Sequence, residues 1–136
     1  MKHVVMDTGP IVAMMNPKDD RHAECLAFFD QSTSEWILPI TVLAEVCGML
    51  AKHPDLEADF LDTVAHGAFA VESLTKDDTQ RIAELARKYI DFPLGGVDAS
   101  VLAIAERLGI VDVATIDHRH FRAVRPRHVA ALTLWP

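Results

Sequence analysis

At 136 residues the chain has the length of one ordinary domain and can bury a sizeable core without disulfide or metal staples. Half of its residues are hydrophobic and 24% are charged, with no repeat, no Gly/Ser-rich tract and no apolar run near the roughly 18 residues of a membrane helix, so one compact domain over residues 1–136 is expected. The formal net charge of −7 argues against a simple cationic nucleic-acid binder, yet residues 118–128, HRHFRAVRPRH, hold four of the thirteen basic residues and none of the twenty acids.

In chain order, His3 to Met6 is short, apolar and β-branched, as in a central strand buried on both faces. Thr8-Gly9-Pro10 breaks it, and Pro10 suits the first turn of a helix through Met15. Asp19-Asp20 then caps a helix to about Ser32, followed by a strand over Trp36 to Leu38. Pro39 opens a helix from Ile40 to about His53, with Ile40, Leu43, Val46, Cys47 and Leu50 on its apolar face. Residues 55–66 form another helix and Phe69 to Leu74 a strand. Thr75-Lys76-Asp77-Asp78 is a capping box for a helix through Tyr89. After the interruption DFPLGG, Val97 to Leu108 is helical and Gly109 is its C-cap. Val111 to Thr115 is a fourth strand, and His128 to Trp135 supplies a fifth at an edge. Strands alternating with helices predict the α/β class, a mostly parallel four- to five-stranded sheet covered by helices. Cys25 and Cys47 lie in apolar helical patterns without C-x-x-C spacing and read as reduced thiols.

Parallel sheets bind ligands beyond the carboxyl ends of their strands. Asp7 directly follows the first strand and Asp117 follows the fourth, so both are delivered to that edge, although either could be no more than a helix N-cap. Thr41, Glu45, Gly48 and Lys52 form a polar stripe on a mostly apolar helix, facing either solvent or a partner. Gly48 in that helix interior would let something approach closely. Asp98 heads the apolar stripe of its own helix, where a carboxylate must be capped, paired, protonated or metal-bound. Carboxylates that converge repel one another, and a hard divalent cation is the natural compensation.

With these residues in view, the sequence resembles the PIN-domain ribonucleases, and specifically the VapC-type toxins. VVMDTGPIVA is similar to the first family motif, LPITVLAEVCGML to the second, PLGGVDASVLAIAERLG to the third and VDVATIDHRHF to the fourth, in matching order and spacing. The resemblance implies a three-layer α/β/α PIN-like fold and an acidic quartet, Asp7, Glu45, Asp98 and Asp117, that is catalytic and holds Mg²⁺ or Mn²⁺. It also implies supporting hydroxyls at Thr8 and Thr115, endonucleolytic RNA cleavage, a homodimer and inhibition by a cognate VapB-type antitoxin. Many relatives carry a further acid after the last one, where this chain has His118, Arg119 and His120. Four acids leave the number of metal ions open, and a carboxylate site selects hard cations over histidine ligation.

The mechanism implied is hydrolysis of RNA phosphodiester bonds by metal-activated water, leaving a 5′-phosphate and a 3′-hydroxyl. Lys52, Arg119 and Arg122 are candidates for gripping flanking phosphates. Asp7-Thr8-Gly9 also spells an aspartic-protease signature, but that chemistry needs an all-β scaffold. A haloacid-dehalogenase-like phosphatase would need an acid where Gly9 stands. The alternative from another class is a non-catalytic PIN-like module that binds RNA or a partner. The start lacks the charged-then-apolar pattern of a secretory signal, so a cytoplasmic location without membrane attachment is expected.

Overall fold

The strand β1 (His3–Met6) carries Val4, Val5 and Met6, all fully buried although their side chains alternate between the two faces of the sheet. Both faces are therefore covered, as the short β-branched run requires. These coordinates form a computed structural model that describes residues 2–136. After β1 come α1 (Thr8–Met15), α2 (His22–Gln31), β2 (Glu35–Pro39), α3 (Ile40–Leu50), α4 (Pro54–Ala65) and β3 (Ala70–Glu72). The second half runs α5 (Lys76–Lys88), α6 (Gly96–Leu108), β4 (Asp112–Ala114), α7 (His118–Ala123) and β5 (Thr133–Trp135).

The five strands are all parallel, in the order β3-β2-β1-β4-β5. Val5 is in register with Ile37 on one side and with Val113 on the other. The chain builds outward from β1 through β2 to β3, then crosses over and builds outward through β4 to β5. The order thus reverses between β1 and β4, and a crevice opens at the carboxyl ends of strands at such a reversal. The Asp7 N–H donates to the Ala114 carbonyl at 2.9 Å, and the Thr115 N–H donates to the Trp135 carbonyl at 2.7 Å. The ladder therefore continues past the strand ends up to the residues of interest.

The main core joins Val4, Val5 and Met6 to Leu38, Val42, Val46 and Leu50 and to Val101, Ile104 and Val113. A smaller cluster of Leu85, Leu94, Ala99, Leu102 and Val124 fastens α5 to α6 and to the segment between them. α6 is the central helix: Ala99 through Ala105 are buried without interruption. Its C-cap, Gly109, has φ +68°, a left-handed conformation that glycine adopts without a Cβ penalty.

Several local expectations are revised. α7 was not expected; Asp117 caps it and buried Phe121 anchors it. The N-cap of α2 is Arg21 with no side-chain cap, and Asp19 instead accepts the Arg21 N–H within the preceding turn. β3 and β5 are each only three residues long, shorter than their apolar runs. On α3 the buried positions are Val42, Val46 and Leu50, whereas Ile40 is 40% exposed. Both cysteines are unbridged, Cys25 buried and Cys47 half-buried.

The Thr75 capping box forms as expected: Thr75 Oγ1 accepts the Asp78 N–H and Asp78 accepts the Thr75 N–H, each at 3.0 Å. Asp78 is buried and also accepts from the Arg107 Nε at 3.0 Å, so a single carboxylate closes the start of α5 and ties it to the end of α6. Replacing it with alanine removes the box and leaves the Arg107 guanidinium without that partner. Asp78→Ala should cost about 2–3 kcal/mol in urea unfolding, since caps contribute roughly 1 kcal/mol and broken pairs more. A loss below about 0.5 kcal/mol, the scale of an ordinary surface change, would contradict this account.

Candidate active site

Four elements bring the four acids to the edge where the strand order reverses. Asp7 ends β1 and occupies the N-cap position of α1, yet its side chain caps nothing. Its Oδ2 instead accepts the Thr115 hydroxyl at 2.8 Å, a contact between buried residues 108 positions apart. The Thr115 Oγ1 in turn accepts the Asp117 N–H at 3.0 Å. With its lone pair engaged by that N–H, the hydroxyl proton is directed at Asp7. One side chain therefore sets the relation between the first acid and the last.

Asp117 is the N-cap of α7: its Oδ1 accepts the His120 N–H at 3.3 Å, and its Oδ2 contacts the His120 Nδ1. His118 turns away, with its Nε2 bonded to the Thr115 carbonyl at 3.1 Å. The capping role considered for Asp117 is thus observed, and that considered for Asp7 is not.

Glu45 and Asp98 arrive from α3 and α6, and these helices are joined beside them. Ser100 Oγ donates to the Val97 carbonyl at 2.6 Å, which leaves Thr41 Oγ1 to donate to Ser100 Oγ at 2.5 Å. Thr41 lies one turn before Glu45, and Ser100 two residues after Asp98. Asp98 is half-buried in the first turn of α6, Glu45 is exposed, and Asp7 is buried. In the stripe on α3, Glu45, Gly48 and Lys52 face solvent while Thr41 is half-buried. Gly48 has open space where a Cβ would stand, so nothing in this chain uses the close approach it permits. Gly9 does: a Cβ there would lie 2.5 Å from Ile116, between Thr115 and Asp117.

Burial pushes the Asp7 carboxyl up to about 6 from its usual value of 3.8; the bonds from Thr115 and the Thr8 N–H oppose this, and nearby Asp98 and Glu45 add to it. Asp98 is also raised, first by burial, against a lowering by His120, with further raising by Asp117 and Glu45. Asp98 therefore stands within electrostatic reach of the other three acids, and Asp7 within reach of Glu45 and Asp98. Among the described residues, no group of three His, Cys, Asp or Glu side chains is already gathered tightly enough to hold an ion.

The donor set nevertheless fits a hard divalent cation. It consists of oxygens, it is short of counter-charge, and the Thr8 hydroxyl beside it is buried without a hydrogen-bond partner. Mg²⁺ uses few direct protein ligands and keeps several waters, so an open set of carboxylates suits it better than a closed cage would. The basic residues stand apart: Lys52, Arg119 and Arg122 are exposed and make no ion pair among the described residues. Arg122 borders a different hollow, with Phe121, Arg125 and Leu132.

Sequence reasoning did not find Ser100 or the direct contact between His120 and Asp117. Ser100 is a polar residue in the middle of an apolar stripe, and that was its only signal.

This is an α/β/α fold with an acidic edge, and the chain belongs to the PIN domain family, whose pattern matches residues 4–126. Among individual relatives, Ribonuclease VapC26 of Mycobacterium tuberculosis is 26% identical over 98% of this chain and 100% of that protein. The fold resembles the crystal structure of Mycobacterium tuberculosis VapC20, a Sarcin-Ricin loop cleaving toxin, with a TM-score of 0.75 and 20% identity over 81% of this chain and 86% of that one. It also resembles VapBC2 from Rickettsia felis bound to a DNA fragment from their promoter, with a TM-score of 0.71 and 17% identity over 98% of this chain and 99% of that one.

The raised Asp7 carboxyl makes stability depend on pH. Folding tightens its hold on the proton, so this contribution is complete below about pH 3.8 and is lost as pH rises through about 6. Asp7→Asn should therefore be more stable than the wild type above pH 6, by up to about 3 kcal/mol, and the advantage should vanish near pH 4. Urea unfolding of both proteins across this range checks it; parallel curves would contradict the raised carboxyl. Mn²⁺ should raise the wild-type melting temperature at pH 7.5 and leave that of Asp7→Asn nearly unchanged.

Proposed function

We propose that this protein is a metal-dependent endoribonuclease and the toxin of a type II toxin-antitoxin pair, a single PIN domain over residues 1–136 that hydrolyses RNA phosphodiester bonds. The observation that carries this reading is the buried Asp7, raised by burial and by Asp98 and Glu45, at the edge that also receives Asp117. Such an arrangement is costly to an isolated protein and useful for holding a cation.

Asp7, Glu45, Asp98 and Asp117 would hold Mg²⁺ or Mn²⁺. The bound ion would lower the pKa of a water and offset phosphate charge. Thr115 holds the Oδ2 of Asp7 in place, while Thr8 offers a hydroxyl with no competing partner among the described residues. Both orient ligands or water at the first acid. The Thr41–Ser100 bond keeps α3 and α6, and with them Glu45 and Asp98, at a set separation. Lys52, Arg119 and Arg122 are proposed to meet flanking phosphates; their lack of acidic partners supports this.

The partner reading rests on the relatives. The similar structure from Klebsiella pneumoniae, at 17% identity over 89% of this chain and 92% of that one with a TM-score of 0.69, is a toxin-antitoxin complex. A VapB-type antitoxin is proposed by that likeness, and a homodimer and a cytoplasmic location by the resemblance of the sequence motifs. No helix among the described residues is long and apolar enough to cross a membrane.

The absence of a pre-gathered set of three ligands among the described residues favours a second reading, a PIN-like module that binds RNA or a partner without cutting. One assay separates the two. With Mg²⁺ or Mn²⁺ the wild type should cleave single-stranded RNA to 5′-phosphate and 3′-hydroxyl ends, chelator should abolish cleavage, and Asp7→Asn and Asp98→Asn should each lose on the order of 100-fold or more. RNA binding without cleavage at any metal concentration would support the second reading, and full activity in either folded variant would overturn the metal site. Co-expressed cognate antitoxin should silence cleavage.

A further inference from the structure

The chain's five other phenylalanines all pack in the main core, but Phe92 belongs to neither hydrophobic cluster. It sits half-buried in the turn between α5 and α6, and its ring lies against that of His120, with centroids 5.0 Å apart and planes inclined at 56°. His120 contacts the Asp117 carboxylate and stands close enough to Asp98 to influence it. One ring contact therefore separates Phe92 from the acidic edge.

The turn that carries Phe92 is fastened on both sides. The Phe92 N–H donates to the Tyr89 carbonyl at 3.0 Å, and the Tyr89 hydroxyl accepts the Arg125 N–H at 2.9 Å. Leu94 is buried in the smaller cluster, and the next residue, Gly95, is the N-cap of α6 and gives its N–H to Asp98. The ring is thus held at a defined position relative to Asp98 without contributing to the core. Its neighbour Ile90 is 75% exposed, and Arg119, beside His120 on α7, is exposed and has no ion pair among the described residues.

Single-stranded RNA presents unstacked bases, and proteins hold them on aromatic faces next to groups that meet the backbone. We propose that Phe92, backed by His120, is the platform on which one unpaired base of the RNA substrate stacks beside the scissile phosphate. The inference rests on the ribonuclease reading above and names the part of the substrate that this end of the site grips.

The test uses the full chain and a single-stranded oligoribonucleotide of mixed sequence whose cleaved bond has been mapped with Mn²⁺. Phe92→Leu keeps an apolar side chain against His120 but removes the aromatic face; Phe92→Tyr and Phe92→Trp keep that face. KM should rise about 5- to 100-fold in Phe92→Leu, the range of single base-stacking losses, with kcat within about twofold, and should stay near the wild-type value in Phe92→Tyr and Phe92→Trp. Removing the base from one of the two nucleotides flanking the cut should raise the wild-type KM by a similar factor and leave that of Phe92→Leu unchanged, because the partner is already missing. Unchanged KM in Phe92→Leu, equal losses in all three variants, or additive losses with the abasic oligonucleotide would overturn the platform while leaving the nuclease intact. Failure of the wild type to cleave any RNA would overturn the nuclease reading and this inference with it.

Discussion

The hydroxyl of Thr115 is the point on which the acidic edge depends. It accepts a hydrogen bond from the Asp117 N–H and donates one to the Asp7 carboxylate, so it couples the end of the central strand to the start of α7. This is possible because β1 and β4 are parallel neighbours in register, with Met6 opposite Ala114, which brings the residues that follow each strand side by side. Parallel pairing next to the point where strand order reverses thus links Asp7 to Asp117 through Thr115, although the two acids are more than a hundred positions apart. Gly9 completes the junction, because a side chain there would press on Ile116 between the two.

The other two acids depend on a different join. α3 and α6 both pack on the central strands, and the Thr41–Ser100 bond sets them side by side where Glu45 and Asp98 emerge. The four carboxylates are graded in solvation, from buried Asp7 through half-buried Asp98 and Asp117 to exposed Glu45. A buried carboxylate with other acids nearby gains most from an added positive charge, and an exposed one gains least. A cation would therefore be drawn toward the Asp7 end, where the Thr8 hydroxyl has no partner.

The sequence made the fold legible where one pattern served one purpose. The first strand, the capping box at Thr75 and the Gly109 stop of α6 each follow from local chemistry, and each forms where expected. α7 was missed because HRHFRA has only two apolar residues in six, Phe121 and Ala123, too few to show a period; the helix exists because Asp117 caps it and the core takes Phe121. Asp7 and Asp117 could be located at the sheet edge because they follow strands directly. The cap at Asp117 is a local bond to His120, whereas whether Asp7 was only a cap could not be decided locally, since its side chain bonds to Thr115, 108 positions away. Ser100 was illegible for the same reason: its partner is 59 positions away.

The distribution of charge bears on the proposal that this acidic protein acts on RNA. The basic run near the C-terminus is less uniform than its composition suggests. Arg127 is turned onto Glu84 at 2.9 Å, and Arg81 holds Glu106 through two bonds, so the α5–α6 end of the molecule is neutralised internally. Arg119 and Arg122 have no such partner among the described residues, and they sit on the helix that Asp117 caps. Attraction of a polyanion depends on uncompensated charge within roughly 8–10 Å at physiological salt, not on the total over the chain. A net charge of −7 is thus compatible with RNA approaching along α7, because the acids that would oppose it there are the same ones a divalent cation would neutralise.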